Sequence, residues 1–162
     1  MLILGLDPGQ HQTGWVLYEP TSETPIVNSG ITDNDELIAT WFECETERFV
    51  DEVAIEMIQC MGMPVGETTL ETCVWIGEFR RYFKSHKTPV TLIPRGKIKM
   101  HLCGSQRAKD KNIRQVLLDR FGPPGTKKFK GHLYGVSGHM LSALAVAVTF
   151  ADTRPKGEPD GR

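Results

Sequence analysis

Basic residues are almost missing from the first half of this 162-residue chain. Residues 1–79 hold 15 acids and one base, Arg48, whereas residues 80–162 hold 18 bases and 5 acids. The formal net charge of −1 thus hides an acidic half and a basic half. A basic half on a near-neutral protein reads as a face for a polyanion such as nucleic acid; the plainer alternative is two solvated halves that neutralise each other across the fold. No apolar run approaches the roughly 20 residues that a bilayer-spanning helix needs, so a membrane protein is not expected. The apolar N-terminus has no basic segment before it and is interrupted early by Asp7, which argues against a signal peptide. Cysteine is sparse: Cys44, Cys60, Cys73 and Cys103 show no CxxC spacing and sit among apolar residues. Buried, reduced thiols are expected in preference to zinc ligands or disulfides. No internal repeat is present. These absences describe a soluble, cytoplasmic protein whose length suits one domain with a sizeable core.

What is present begins with the first strand. Leu2–Leu6 is apolar, delivers a single carboxylate at Asp7, and is ended by Pro8-Gly9. Val53-Ala54-Ile55-Glu56 ends the same way. A charge at the end of a buried strand is costly unless paired, and a hard divalent cation is one natural partner. Asp7 taken alone reads more readily as ordinary Asp-Pro-Gly turn chemistry; Glu56 and the segments that follow turn the reading toward a shared site. A strand at Gly14–Tyr18 follows a short Gly-containing turn, which predicts an antiparallel hairpin, with Ile26–Ile31 as a third strand. Asp33 or Asn34 is placed to cap a helix carrying Leu37, Ile38, Trp41 and Phe42. After the strand Glu52–Glu56 comes a Gly/Met/Pro-rich loop at Gln59–Gly66, then a helix over Glu67–Lys84 with Leu70, Cys73, Val74 and Gly77 on one face. Glycine inside a helix costs about 1 kcal/mol against Ala, which predicts close packing at Gly77. A strand at Thr91–Pro94, basic helices at Arg95–Leu102 and Lys109–Arg120, a loop over Gly122–Gly138 and an apolar helix at His139–Phe150 complete a mixed α/β domain over residues 1–151. Residues 152–162 read as a disordered tail.

Four segments, in order, resemble one known family. Gly5-Leu6-Asp7-Pro8-Gly9 with Thr13-Gly14-Trp15 is similar to the opening of RuvC-type Holliday junction resolvases, which have the ribonuclease H fold. Ala54-Ile55-Glu56 matches the family's second acidic strand, and Gly104–Lys111 its glycine-basic segment. His139–Ala147 resembles its closing helix, which in the family reads acid-x-x-acid-Ala-Leu-Ala. The resemblance covers most of residues 1–150. It implies catalytic positions at Asp7, Glu56, His139 and Ser142, with Asp7, Glu56 and His139 as metal ligands. The cofactor implied is Mg²⁺, with Mn²⁺ as a plausible substitute and two ions per site. Asp7 would bridge the ions, Glu56 would hold one, and His139 would be a ligand or a general base. Two Mg²⁺ ions about 3.5–4 Å apart generate a nucleophile from water and stabilise the leaving 3′-oxygen. Ser142 departs from the family, since a hydroxyl adds no negative charge where an acid is usual. This chain would suit a phage-encoded member.

The implied partners are branched DNA, above all a four-way junction, and a second copy of the chain. The homodimer would make symmetric nicks and join through the Glu67–Lys84 helix. Arg80, Arg81 and Lys84, then Arg95, Lys97 and Lys99, then Arg107, Lys109, Lys111 and Arg114, and finally Lys127, Lys128 and Lys130 are the candidate DNA contacts. They would grip phosphates, giving affinity without sequence preference. Met57, Ile58, Met61 and Met63 would either wedge into a junction or pack locally or at a dimer interface. Two alternatives stay open: a junction-binding scaffold with a weak or dead site, and a ribonuclease H-like nuclease acting on flaps or hybrids. An actin-like ATP-binding protein also opens with an acid and glycines. It needs a duplicated domain for which this length leaves no room, so no nucleotide cofactor is expected.

Overall fold

Strand β1 (Ile3–Pro8) is buried at all six positions, because both of its faces are covered and only side chains without a charge tolerate that over most of its length. The computed structural model describes residues 1–43, 50–59, 62 and 64–155, and of residues 41–43 the backbone alone. β1 lies at the centre of a five-stranded sheet of order β3-β2-β1-β4-β5. β2 (Gln12–Tyr18) and β3 (Ile26–Asp33) are antiparallel neighbours on one side, as the hairpin signal predicts. β4 (Glu52–Met57) and β5 (Val90–Pro94) are parallel on the other.

Period-two alternation sorts the strands' side chains between two cores. Leu4, Leu6, Val53 and Ile55 join Leu37 of helix α1 (Asn34–Glu43) and Ile76, Phe79, Tyr82 and Phe83 of helix α2 (Glu67–Ser85). Ile3, Val16, Ala54 and Ile93 face the other way. There they meet α3 (Arg95–Cys103), α4 (Asp110–Phe121) and α5 (His139–Thr153). Helix α5 is buried without a break from Ala143 to Phe150. It reaches the sheet only because glycine stands beneath it: a Cβ on Gly5 would overlap the Ala143 carbonyl oxygen, and one on Gly14 would come within 2.6 Å of His139 backbone atoms.

Several sequence expectations need correction. The inward face of α2 is Thr72, Ile76, Phe79, Tyr82 and Phe83. Leu70 and Val74 are 58% and 64% exposed, and a Cβ on Gly77 would meet nothing within 4 Å. Close packing within the monomer therefore does not explain Gly77. Met57 and Ile58 pack against the α2-side core instead of projecting as a wedge; Met61 and Met63 lie outside the described residues. Helix α5 runs past Phe150 to Thr153, and Asp152 accepts hydrogen bonds from Arg120 at 2.6 and 2.9 Å. The first two residues of the expected tail are thus helical, while 156–162 lie outside the described residues. Cys73 and Cys103 are free, half-buried thiols; Cys44 and Cys60 lie outside the described residues, as do the side chains of Trp41 and Phe42. Among the described residues no helix is long and apolar enough to cross a membrane.

Candidate functional site

The β1–β4 pairing ends at Leu6↔Ile55, so the next step of the same register sets Asp7 beside Glu56. Each lies two residues beyond a residue that faces α5, Gly5 and Ala54 respectively, so both carboxylates point to the α5 side. Each residue is only 9% exposed. Burial pushes both carboxyls above the ordinary range, because desolvation disfavours the charged form. The Asp7 charge raises Glu56 further. Two neighbouring buried acids, both held above their ordinary range, form a site in want of positive charge.

The chain supplies some of it. His139 opens α5 and its Nδ1 lies 2.8 Å from Asp7 Oδ2. Against an ionised Asp7, Nδ1 is the donor and Oδ2 the acceptor. The imidazole is 68% exposed, so Nε2 is the nitrogen left for a metal or a proton. One turn later the Ser142 hydroxyl lies close enough to Asp7 to oppose, weakly, the rise caused by burial. The resemblance put Ser142 among the catalytic positions in the place of the family's acid; the structure sets its neutral hydroxyl beside Asp7.

Glu56 has a different partner. Arg95 Nη1 donates to Glu56 Oε1 at 2.5 Å and Nη2 donates to Asp110 Oδ1 at 2.7 Å. The guanidinium of this residue, grouped above with the phosphate contacts, is instead held between two carboxylates. It lies there because β5 ends beside β4, pairing Met57 with Pro94. The first turn of α3 is also tied to the chain after β4: the Gly96 N–H donates to Gln59 Oε1 at 3.1 Å. Arg95, Gln59 and Asp110 enlarge the site beyond the residues predicted for it.

A second addition is the brace behind Asp7. Asn34, 1% exposed, accepts from Thr13 Oγ1 at 2.6 Å and donates through Nδ2 to the Gly9 carbonyl at 3.1 Å. The turn that ends β1 is thereby pinned to the start of α1. Asp33 takes the capping role, accepting from the Asp35 N–H at 3.0 Å.

The predicted residues divide in space. Asp7, Glu56, His139 and Ser142 come together. Lys97, Lys99, Arg107, Lys109, Lys111 and Arg114 lie on or next to α3 and α4, on the same side of the sheet, and Lys127, Lys128 and Lys130 lie in the α4–α5 connection. Arg80, Arg81 and Lys84 sit on α2, which covers the opposite face, and Arg81 is paired with Glu78 at 2.7 Å. Among the described residues no three His, Cys, Asp or Glu side chains converge as a metal cage. The donor set still suits Mg²⁺, which usually takes one or two carboxylates and completes its shell with water and phosphate.

No family model matches the sequence, and no curated protein matches it. Solved structures do. Thermus thermophilus RuvC in complex with a Holliday junction substrate is similar with a TM-score of 0.71 and 16% identity, over 93% of both chains. A further structure of Thermus thermophilus RuvC is similar with a TM-score of 0.69 and 17% identity, again over 93% of both. The fold is therefore the α/β ribonuclease H-like fold expected, a mixed sheet flanked by helices.

Proposed function

We propose that this chain is a divalent-metal-dependent endonuclease that resolves four-way DNA junctions, acting in the cytoplasm as a homodimer that makes symmetric nicks. The observation that carries this reading is the pair Asp7 and Glu56: buried, in register on neighbouring strands, and turned toward the face that bears the basic helices. The likeness in fold to a RuvC bound to a junction supports it.

Asp7 and Glu56 would hold the metal, with His139 Nε2 beside them; Mg²⁺ or Mn²⁺ there would activate water and stabilise the leaving 3′-oxygen. The rest falls to the protein. Asp7 orients the imidazole, which serves as ligand or base through Nε2. Ser142 steadies Asp7 without adding charge. Lys97, Lys99, Arg107, Lys109, Lys111 and Arg114 hold the backbone phosphates. The outer stripe of α2, Leu70, Val74 and Gly77, supplies the surface for a second copy.

A second reading, a junction-binding scaffold, is favoured by Ser142 in the place of an acid and by Arg95 occupying Glu56. Labelled four-way junctions incubated with wild type and Asp7→Asn, in Mg²⁺ or EDTA, separate the two. Paired nicks that require Mg²⁺ and fall by roughly 10³-fold or more in Asp7→Asn are expected. Tight binding with no cutting in Mg²⁺ or Mn²⁺ would establish the scaffold.

A further inference from the structure

Between α4 and α5 the chain makes a tight turn that is both basic and aromatic. Gly125 and Lys130 form an antiparallel bridge. The Thr126 N–H donates to the Phe129 carbonyl at 2.9 Å, the Phe129 N–H to Thr126 Oγ1 at 3.2 Å, and the Gly131 N–H to the Pro124 carbonyl at 2.9 Å. Gly125 has φ +76°, and a Cβ there would overlap the Phe129 carbonyl. Beyond the turn, Leu133 and Val136 are buried and anchor the connection. The turn is a constructed feature with one anomaly at its tip. Phe129 is 73% exposed, the highest value among the large hydrophobic side chains described.

A fixed backbone that holds a phenyl ring in water forgoes the 1.5–3 kcal/mol typical of burying one, which points to a ligand that covers it. The surroundings state the ligand's chemistry. Lys128 Nζ lies 5.5 Å from the Phe129 ring centroid, and Lys130 Nζ 5.0 Å from that of Tyr134, itself 39% exposed. The segment from Gly122 to His139 contains no Asp or Glu, so nothing within it neutralises Lys127, Lys128 and Lys130. Aromatic faces beside uncompensated ammonium groups match a nucleobase and its flanking phosphates. A base paired within a duplex offers no free face. Ten residues separate Phe129 from His139, a span of at most ~33–36 Å, about one helical turn of DNA.

We propose that Phe129 is a stacking platform for an unpaired nucleobase of the DNA, with Lys127, Lys128 and Lys130 on the neighbouring phosphates. This rests on the DNA reading above and adds the feature of the substrate that the turn recognises.

The test measures affinity of the full chain for a four-way junction, for oligo-dT and for plain duplex, with wild type, Phe129→Ala and Phe129→Tyr, after checking that their melting temperatures agree. Phe129→Ala is expected to weaken junction and oligo-dT binding about 5- to 100-fold and to leave duplex binding and the salt slope unchanged; Phe129→Tyr restores binding. Phe129→Trp provides an independent readout: its added fluorescence is quenched by junction and by oligo-dT, not by duplex. Equal affinities for wild type and Phe129→Ala, or no extra quenching in Phe129→Trp, overturns the proposal and turns the ring over to a protein partner. Failure of wild type to bind a junction sinks the resolvase reading instead, and oligo-dT binding that depends on Phe129 would survive it.

Discussion

Helices α5 and α2 cover opposite faces of one sheet by opposite means. Helix α5 meets β1 and β2 backbone to backbone, through Gly5, Gly14, Ala143 and Ala147, and is buried for eight consecutive residues. Helix α2 stands off on rings: Phe79, Tyr82 and Phe83 fill the gap, with Tyr82 and Phe83 edge to face at 5.1 Å. Its outer side keeps an apolar stripe in water. Close approach places atoms with little freedom, which is what His139 beside Asp7 requires; spacing by aromatics leaves a helix whose other side is free for a second task.

Three substitutions test the contrast, from the largest effect to the smallest. Gly5→Val drives a branched side chain into the Ala143 carbonyl and Ala147. It should cost about 3 kcal/mol or more, seen as a lost or strongly lowered thermal transition; an unchanged melting temperature would show that α5 is not held by close approach. Arg95→Gln removes the cation between Glu56 and Asp110. In EDTA at neutral pH it should cost about 2 kcal/mol, discounted because Arg95 is one-third exposed. It should also tighten Mn²⁺ binding by calorimetry roughly tenfold, about 1.4 kcal/mol, since the ion no longer competes with a guanidinium. The pH dependence has a definite sign. Asp7 and Glu56 are raised in the folded state, so the native protein holds protons that the unfolded chain has released. Stability in EDTA therefore falls as pH rises from the ordinary carboxyl range through the raised values, and a bound divalent ion should flatten that fall. Gly77→Ala is the smallest change and its sign is the result: a gain of about 1 kcal/mol in an isolated helix, or a weaker dimer by ultracentrifugation if the stripe is an interface.

The acidic ends of β1 and β4 were legible because strand periodicity is strict: one apolar run with one terminal carboxylate has few other uses. The face of α2 was not. Its sequence carries two stripes at helical spacing, Leu70–Cys73–Val74–Gly77 and Thr72–Ile76–Phe79–Phe83, and only the sheet beneath decides which is inward. Arg95 and Glu56 are 39 residues apart, and the parallel placement of β5 beside β4 that joins them leaves no mark in either local sequence. Asn34 was noticed as a cap. Its actual role depends on Thr13, a partner that only the hairpin brings within reach. The end of α5 was missed by three residues because its last turn is held by ions and hydroxyls, with Asp152 bound to Arg120 and Thr153 to the Thr149 carbonyl, not by apolar burial.

The brace formed by Thr13 and Asn34 sets an order of events on heating. Asn34 begins α1, next to β3, the edge strand none of whose residues is buried, and such edges open before a core does. When β3 and α1 loosen, the Gly9 carbonyl loses its donor and the turn behind Asp7 slackens while α5 still lies on the sheet. If the proposed nuclease activity holds, heat should therefore silence it several degrees before the protein melts, so that inactivation and not the midpoint of unfolding limits its working range.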